Sequence, residues 1–117
     1  MNTYTATAAV ASDRDAVDLI AEAHYGHQAE WVVLPVELLP DEFFQLRSGL
    51  AGAIAQKFVD YRMKLVIVGD VSAHIAASTA FRDWVRETNR SRHLRFVPDQ
   101  AAALDCVHGG GSDGASA

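Results

Sequence analysis

A run of four apolar residues, LVIV at positions 65–68, constrains the fold of this chain more than any other stretch. A continuous apolar run that ends at Gly69-Asp70 is typical of a strand buried on both faces of a parallel sheet. The segment before it, 49–58, is rich in glycine and alanine, and small side chains let a helix approach a sheet closely. Together the two segments predict a slim helix packed against a central strand.

Predicted strands and helices alternate along the whole chain. The strand patterns, which are apolar and often β-branched, cover residues 3–10, 31–36, 64–69 and 93–97. The helical patterns, with apolar residues three and four apart, cover residues 13–25, 41–61, 72–89 and 98–106. The βαβαβαβα order predicts a single-domain, layered α/β fold with a four-stranded, mostly parallel sheet and about four helices. We expect this domain to cover residues 1–107, with 108–117 as a flexible C-terminal tail.

The helical pattern over 41–61 has two explanations. The helix is either continuous, or it breaks after a short turn at 41–45 so that Ser48 caps a second helix. We favour the break, because Ser48-Gly49 is a poor helix interior and a good helix start. Ser72 is predicted to be the N-cap of the following helix for the same reason.

The bulk composition narrows the classes of function. Acidic residues outnumber basic ones by 15 to 10, and a formal charge of −5 argues against a nucleic-acid-binding protein. The single cysteine, Cys106, forms neither a CxxC pair nor an internal disulfide and fits a reducing cytoplasm. Neither a signal peptide nor an apolar run of the ~18 residues that a membrane span needs is apparent. We therefore expect a cytoplasmic protein that binds neither nucleic acid nor a membrane.

Ser48 is the first residue whose position suggests a function. A hydroxyl at a helix start, between Arg47 and Gly49, lies where backbone N–H donors and the helix dipole favour an anion. A phosphate on that hydroxyl would add up to two negative charges and change the surface around it. The plainer explanation is an ordinary capping serine. The sequence leaves both explanations open.

Asp70, Ser72 and His74 follow the central strand, at the end of the sheet where parallel α/β proteins usually bind ligands. A carboxylate near a histidine sets its tautomer and raises its basicity, so Asp70 and His74 are the candidate catalytic pair. Helix capping by Asp70 and Ser72 is the alternative explanation, and no paired nucleophile is evident. The chain has no HExxH, P-loop, GxGxxG or GxSxG pattern, so we expect no metal and no cofactor.

Three stretches carry a family resemblance: VVLPVELLPDEFFQLRSGLAGAIAQKFVDYR, LVIVGDVSAHIAAS and FRDWVRETNRSRHLRFVPD. They resemble an uncharacterised bacterial family, domain of unknown function 4180, over residues 16–104, and that family name implies no biochemistry. A more distant resemblance, in RSGLAGAIAQKFVDYRMKLVIVGD and FVPDQAAAL, is to anti-sigma-factor antagonist (STAS) domains. It implies a STAS-like fold and assigns the phosphorylated switch serine of that superfamily to Ser48. Arg47 stands where those domains usually carry Asp or a second Ser.

These observations give a primary hypothesis and an alternative. The primary hypothesis is a non-catalytic regulatory or protein-interaction module of STAS-like type, controlled by phosphate on Ser48. Its binding or switch residues are expected to be Arg47, Ser48, Gly49, Asp70 and Ser72. Its partner is expected to be a protein, either a regulatory protein or a second copy of this chain. The alternative is a small enzyme or small-ligand binder, with a site around Asp70 and His74 at the carboxyl ends of the strands.

Overall fold

A computed structural model describes residues 3–91 and 93–104. Four parallel strands form one sheet, β1 at Thr3–Thr5, β2 at Trp31–Pro35, β3 at Lys64–Val68 and β4 at Leu94–Val97. The helices are α1 at Asp13–Ala21, α2 at Leu50–Asp60, α3 at Ser72–Ala77, α4 at Thr79–Asn89 and α5 at 100–104. The predicted α/β class, single domain and parallel sheet are confirmed. The described α-helices number five instead of about four, because one predicted helix is two. A π-helical turn at Glu22–Gly26 continues α1.

The order of the strands in the sheet is the order of the strands in the chain, β1-β2-β3-β4. Connections between parallel strands are right-handed, so connections that all step in the same direction bring their helices to one face of the sheet. The main hydrophobic core lies on that face, where Val32, Leu34, Leu65, Ile67 and Phe96 of the strands meet Ile20, Ile54, Phe58 and Phe81 of the helices. On the opposite face, Trp31 and Val66 pack with Ala103 of α5.

The strand that contains LVIV is central, as predicted. β3 pairs with β2 on one side and with β4 on the other, in register over its length. Leu65 and Ile67 belong to the main core, whereas Val66 belongs to the cluster on the opposite face. The continuous apolar run is therefore explained by burial on both faces.

The first strand is shorter than the predicted 3–10. Regular pairing ends at Thr5, and the last backbone bond to β2 runs from the N–H of Ala6 to the carbonyl of Val33. Val10 is buried and donates instead to the carbonyl of Leu38, outside the sheet. Alanine supplies little side-chain contact to a sheet. Residues 6–10 therefore leave the sheet and run beside the loop that connects β2 to the next helical turn.

The helix predicted over 72–89 is two helices. Ser78 has an extended backbone, and its Oγ accepts a hydrogen bond of 3.1 Å from the N–H of Phe81, which makes it the N-cap of α4. The prediction of Ser72 as an N-cap is wrong, since Ser72 is the first residue of α3 and Val71 precedes it as the cap. Side-chain capping stabilises a helix start by roughly 1 kcal/mol, which favours the break at Ser78.

The break predicted between 41 and 48 is confirmed, but the prediction that Ser48 caps the second helix is wrong, because Ser48 ends a 3₁₀ turn and Gly49 follows it. Short 3₁₀ turns at Asp41–Phe44 and Leu46–Ser48 precede α2. The N-cap of α2 is Gly49, whose φ of +79° is in the left-handed region that glycine adopts without strain. Cys106 and the predicted tail at 108–117 lie outside the described residues.

Candidate functional site

An open cleft of about 640 Å³ lies between the segment that follows β2 and the helices that follow β3. One wall contains Phe44, Gln45 and Arg47, from the 3₁₀ turns, and the other contains His74, Ala77 and Ser78, from α3 and the start of α4. We call this space the carboxyl-end cleft. Its walls belong to segments that follow the carboxyl ends of β2 and β3, the end of the sheet where ligands of parallel α/β proteins usually bind.

Aromatic rings fix the position of His74 in this cleft. The imidazole stacks on the ring of Phe44, with centroids 3.8 Å apart and planes 7° from parallel. Phe81, which is fully buried, contacts both rings edge-on at 5.6 Å from Phe44 and 6.3 Å from His74. The histidine is therefore held between the turn after β2 and the first turn of α4.

Arg47 supplies a cation to the same cleft. Its side chain is exposed, and within the described ranges it forms no ion pair. Gln45 and Ser78 add an amide and a hydroxyl, and Asp41 adds a carboxylate that is likewise unpaired among the described residues. The cleft thus combines an unpaired cation with hydrogen-bonding groups and with the stacked pair of Phe44 and His74.

Ser48 lies beside Arg47 but is not among the residues that line the cleft. Its Oγ donates a hydrogen bond of 2.7 Å to the carbonyl oxygen of Glu42 and accepts one of 3.2 Å from the N–H of Leu50. The hydroxyl is exposed and ties the first 3₁₀ turn to the start of α2. Gly49, also exposed, separates Ser48 from the helix.

Asp70 and Ser72 line a different cavity, of about 250 Å³, at the ends of β3 and β4. An Asp70 carboxylate oxygen accepts a hydrogen bond of 2.9 Å from the N–H of Ser72. The Ser72 hydroxyl, and then that backbone N–H, hold the pKa of the Asp70 carboxyl below its usual value. The structure therefore brings Arg47 and His74 together in one cleft, and Asp70 and Ser72 together in another.

The sequence reasoning missed Phe44, Gln45 and Ser78 as lining residues. Of these three residues, only Ser78 stands in a sequence pattern that could have indicated its position. The pair Ser78-Thr79 is a poor helix interior and a good helix start, as Ser48-Gly49 is. Nothing in the spacing of Phe44 and His74 indicates that their rings stack.

The carboxyl group of Asp70 allows a test of this geometry. The pKa of this carboxyl is lower in the folded protein than in the unfolded chain. Its hydrogen bonds to Ser72 therefore stabilise the fold at any pH above the usual pKa of ~3.9. That stability is lost as the pH falls through the lowered pKa. Ser72→Ala should raise the Asp70 pKa towards its usual value, since the hydroxyl donor is lost. A ¹³C NMR titration of the carboxyl measures this shift. Ser12→Ala, which removes the α1 cap, should leave the titration unchanged, and an unchanged pKa in Ser72→Ala would contradict the assignment.

No group of three His, Cys, Asp or Glu side chains is arranged to hold a metal ion in residues 3–91 and 93–104. No helix in that part of the chain is long and apolar enough to span a membrane.

The fold and the cleft define a single-domain α/β protein, with an open polar cleft at the carboxyl ends of a parallel sheet. The chain belongs to the family described as Domain of unknown function (DUF4180), whose family model matches residues 1–107. The resemblance to domain of unknown function 4180, stated above for residues 16–104, is thereby confirmed. Neither a curated protein nor a solved structure matches the chain.

Proposed function

We propose that this protein is a non-catalytic regulatory or protein-interaction module of STAS-like type, which acts in the cytoplasm and is switched by phosphate on Ser48. Its docking surface, which we call the Ser48 surface, consists of five exposed residues that precede α2: Glu42, Gln45, Arg47, Ser48 and Gly49. The observation that carries the proposal is the Ser48 hydroxyl, which is exposed and yet joins two backbone segments.

Phosphorylation of Ser48 would alter both the shape and the charge of this surface. A kinase that transfers the γ-phosphoryl group of ATP to Oγ displaces the hydroxyl proton, and the ester oxygen no longer donates to the carbonyl of Glu42. The turn at Asp41–Phe44 loses its 2.7 Å bond to Ser48. The new phosphate oxygens would lie near the first N–H groups of α2 and next to Arg47, both of which favour an anion. One modification thus frees a turn and adds negative charge at the same position.

The charge of the chain supports a protein partner over a nucleic acid. The formal charge is −5, so the surface lacks the excess of cations that nucleic-acid binding requires. A regulatory protein is the partner we propose for the Ser48 surface, and a second copy of this chain is the competing one. Trp31, Phe43 and Phe44, which would favour self-association if exposed, are buried.

The enzyme alternative has less support from the geometry. Asp70 and His74 line different cavities, and a carboxylate oxygen of Asp70 is bonded to the N–H of Ser72. His74 stacks on Phe44 instead. A general acid–base pair needs the two groups within hydrogen-bond reach of each other or of one substrate atom. This separation favours the non-catalytic module.

A substitution at Ser48 tests the switch. In Ser48→Asp the carboxylate keeps an acceptor near the N–H of Leu50 but removes the donor to Glu42, so amide hydrogen exchange at 42–48 should become faster. The partner is captured from the protein's own cells and purified. Its affinity for Ser48→Asp should differ from its affinity for the wild-type chain by about tenfold, as expected for loss or gain of a charge-assisted contact. Mass analysis of the captured wild-type chain should find phosphate on Ser48.

The matched control is Thr7→Asp, which makes the same charge change at another exposed hydroxyl residue. It should leave both the exchange at 42–48 and the partner affinity unchanged. The switch is excluded if Ser48→Asp and Thr7→Asp bind the partner equally well, or if no phosphate occurs on Ser48 in any growth condition. Sedimentation of the purified chain separates the two partner classes, because a second copy would produce a concentration-dependent dimer.

A further inference from the structure

The two edges of the sheet differ in how their backbone groups are used. Along an edge strand, the N–H and C=O of every second residue point away from the sheet. At β4, where the odd-numbered residues bond to β3, the outward residues are Leu94 and Phe96. Ser91 Oγ accepts from the N–H of Leu94 at 3.3 Å, and Asn89 Oδ1 accepts from the N–H of Phe96 at 2.7 Å. Both outward N–H groups of β4 are therefore closed to a further strand.

The edge formed by β1 is open. The N–H of Ala6 donates to the carbonyl of Val33 in β2, so Tyr4 and Ala6 bond inward while Thr3 and Thr5 direct their backbone groups outward. In residues 3–91 and 93–104, those groups have no hydrogen-bond partner and no strand lies beyond β1. A strand from another molecule can therefore extend the sheet at β1.

An acidic cavity lies beside this open edge. It has a volume of about 380 Å³ and is enclosed by α1 and residues 4–10. Asp15, Asp18 and Glu22 line it, and its described lining contains no lysine or arginine. Within the described ranges, Asp15 and Asp18 form no ion pair, and Glu22 lies 3.4 Å from Nε2 of His27. The cavity therefore favours a cationic side chain.

The edge and the cavity fit the same kind of ligand. Side chains of an added strand would alternate between the two faces of the sheet, and every second one would lie on the face of Tyr4 and α1. Lysine or arginine at those positions would face the carboxylates of Asp15 and Asp18. Because β1 is only three residues long, backbone pairing supplies few bonds, and charge contacts supply the rest of the affinity.

A second copy of this chain is a poor occupant of the edge. Antiparallel pairing of two β1 strands about a two-fold axis would place the two α1 helices side by side on one face. Each α1, with the π-helical turn that continues it, carries one arginine, Arg14, and four carboxylates: Asp13, Asp15, Asp18 and Glu22. Like charges would thus face each other across the interface.

We propose that the β1 edge binds an extended, basic segment of a partner protein, which adds a strand to the sheet and places alternate lysine or arginine side chains against Asp15, Asp18 and Glu22. This site goes beyond the proposed switch, because it involves no residue of the Ser48 surface and needs no phosphate on Ser48.

A short synthetic peptide tests this site. The probe is blocked at both ends, and its lysines alternate with threonine and valine. The full chain, ¹⁵N-labelled and unphosphorylated, is titrated with this peptide while amide shifts and amide hydrogen exchange are followed. Saturable shifts are expected at residues 3–6 and 15–22, with slower exchange at the N–H groups of Thr3 and Thr5. The amides of Leu94 and Phe96 should not shift.

Two modified peptides separate backbone pairing from charge. A peptide methylated at each backbone nitrogen keeps the lysines but cannot pair as a strand, and it should bind tenfold or more weakly, as expected for loss of at least one hydrogen bond. A peptide with glutamate in place of lysine keeps the backbone and reverses the charge, and it should show no saturable binding.

Two substitutions test the same two contacts from the side of the protein. Thr5→Pro removes an outward N–H without breaking a bond of the sheet, and it should weaken probe binding by about tenfold. Asp18→Asn should weaken it by about threefold, the size expected for one exposed charge contact. Asp83→Asn, the matched loss of an exposed carboxylate on α4, should leave the affinity unchanged.

Three results would overturn the proposal. They are equal affinity for the methylated and unmodified peptides, shifts confined to other surfaces, and a concentration-dependent dimer that pairs through Thr3 and Thr5. The peptide comparison uses the wild-type chain, so it decides the question even if Thr5→Pro fails to fold. Because the purified chain carries no phosphate, failure of the titration leaves the Ser48 switch unaffected.

Discussion

Replacing Phe81 by alanine is expected to lower the free energy of unfolding by about 3–5 kcal/mol. Phe81 is fully buried in the main core. Its ring lies 5.6 Å from that of Phe44, 5.9 Å from that of Phe96 and 6.1 Å from that of Trp84. The alanine variant loses the transfer free energy of the ring and leaves a cavity that its neighbours cannot fill completely.

Urea unfolding followed by circular dichroism measures this effect. Phe81→Leu keeps most of the volume and should cost less, about 1–1.5 kcal/mol. Tyr25→Ala is the exposed control, because the side chain of Tyr25 is 82% exposed, and it should change the stability by about 0.5 kcal/mol or less. A loss below about 1 kcal/mol in Phe81→Ala would show that α4 is not anchored through this ring.

Phe81 also connects the two walls of the carboxyl-end cleft. Its backbone N–H is capped by Ser78, so the ring is fixed in the first turn of α4. From there it contacts both Phe44 and His74. The two walls of the cleft come from segments far apart in the chain, and one buried side chain joins them.

The three apolar strands, β2, β3 and β4, were predictable because an apolar side chain in a strand indicates a buried position, whereas the alanines after β1 gave no such signal. LVIV has no polar residue and therefore belongs inside the sheet, and the structure buries it on both faces. The break before α2 was also predictable, since Ser48-Gly49 disfavours a helix interior. The break at Ser78 was not predicted, because the apolar spacing of the two helices continues across it. At the break, the hydrogen bond from the Phe81 N–H to the Ser78 hydroxyl takes the place of a backbone hydrogen bond within a helix.

The candidate site was predicted only in part. Arg47 and His74 were singled out for separate reasons, and their common cleft depends on the order of the strands, which the sequence does not encode in any local pattern. Asp70 and His74 were grouped because they are close in sequence. The helix that starts at Ser72 brings His74 to Phe44, while Asp70 stays at the strand end and accepts from Ser72.

Gly69→Ala is expected to lower the free energy of unfolding by about 2–6 kcal/mol, from two separable causes. The φ of Gly69 is +146°, a conformation that side chains with a Cβ rarely adopt, and such strain costs roughly 1–3 kcal/mol. A Cβ at this position would also overlap Cγ1 of Val36. Overpacking of that kind costs about 1–3 kcal/mol.

Gly52→Ala is the matched control with the opposite expected sign. Gly52 lies inside α2, and a Cβ there would meet no atom within 4 Å. Alanine is the better helix former, so this variant should gain about 0.5–1 kcal/mol. Both variants are measured by the same urea unfolding, and equal effects of the two substitutions would contradict the argument.

The double variant Gly69→Ala/Val36→Ala separates overlap from backbone strain. Val36→Ala removes Cγ1 and Cγ2 and so relieves most of the overlap, but it keeps the Val36 Cβ at 3.0 Å from the added Cβ and leaves the φ of residue 69 unchanged. The double-mutant cycle should therefore show a favourable coupling of about 1–3 kcal/mol without full recovery. Val36 begins the segment that leads from β2 to the carboxyl-end cleft, and it packs against the end of β3 at Gly69. Zero coupling would mean that this segment can move aside freely. A measurable coupling means that Val36 is held against the end of β3 at Gly69, so that the segment leading to the carboxyl-end cleft begins from a fixed position.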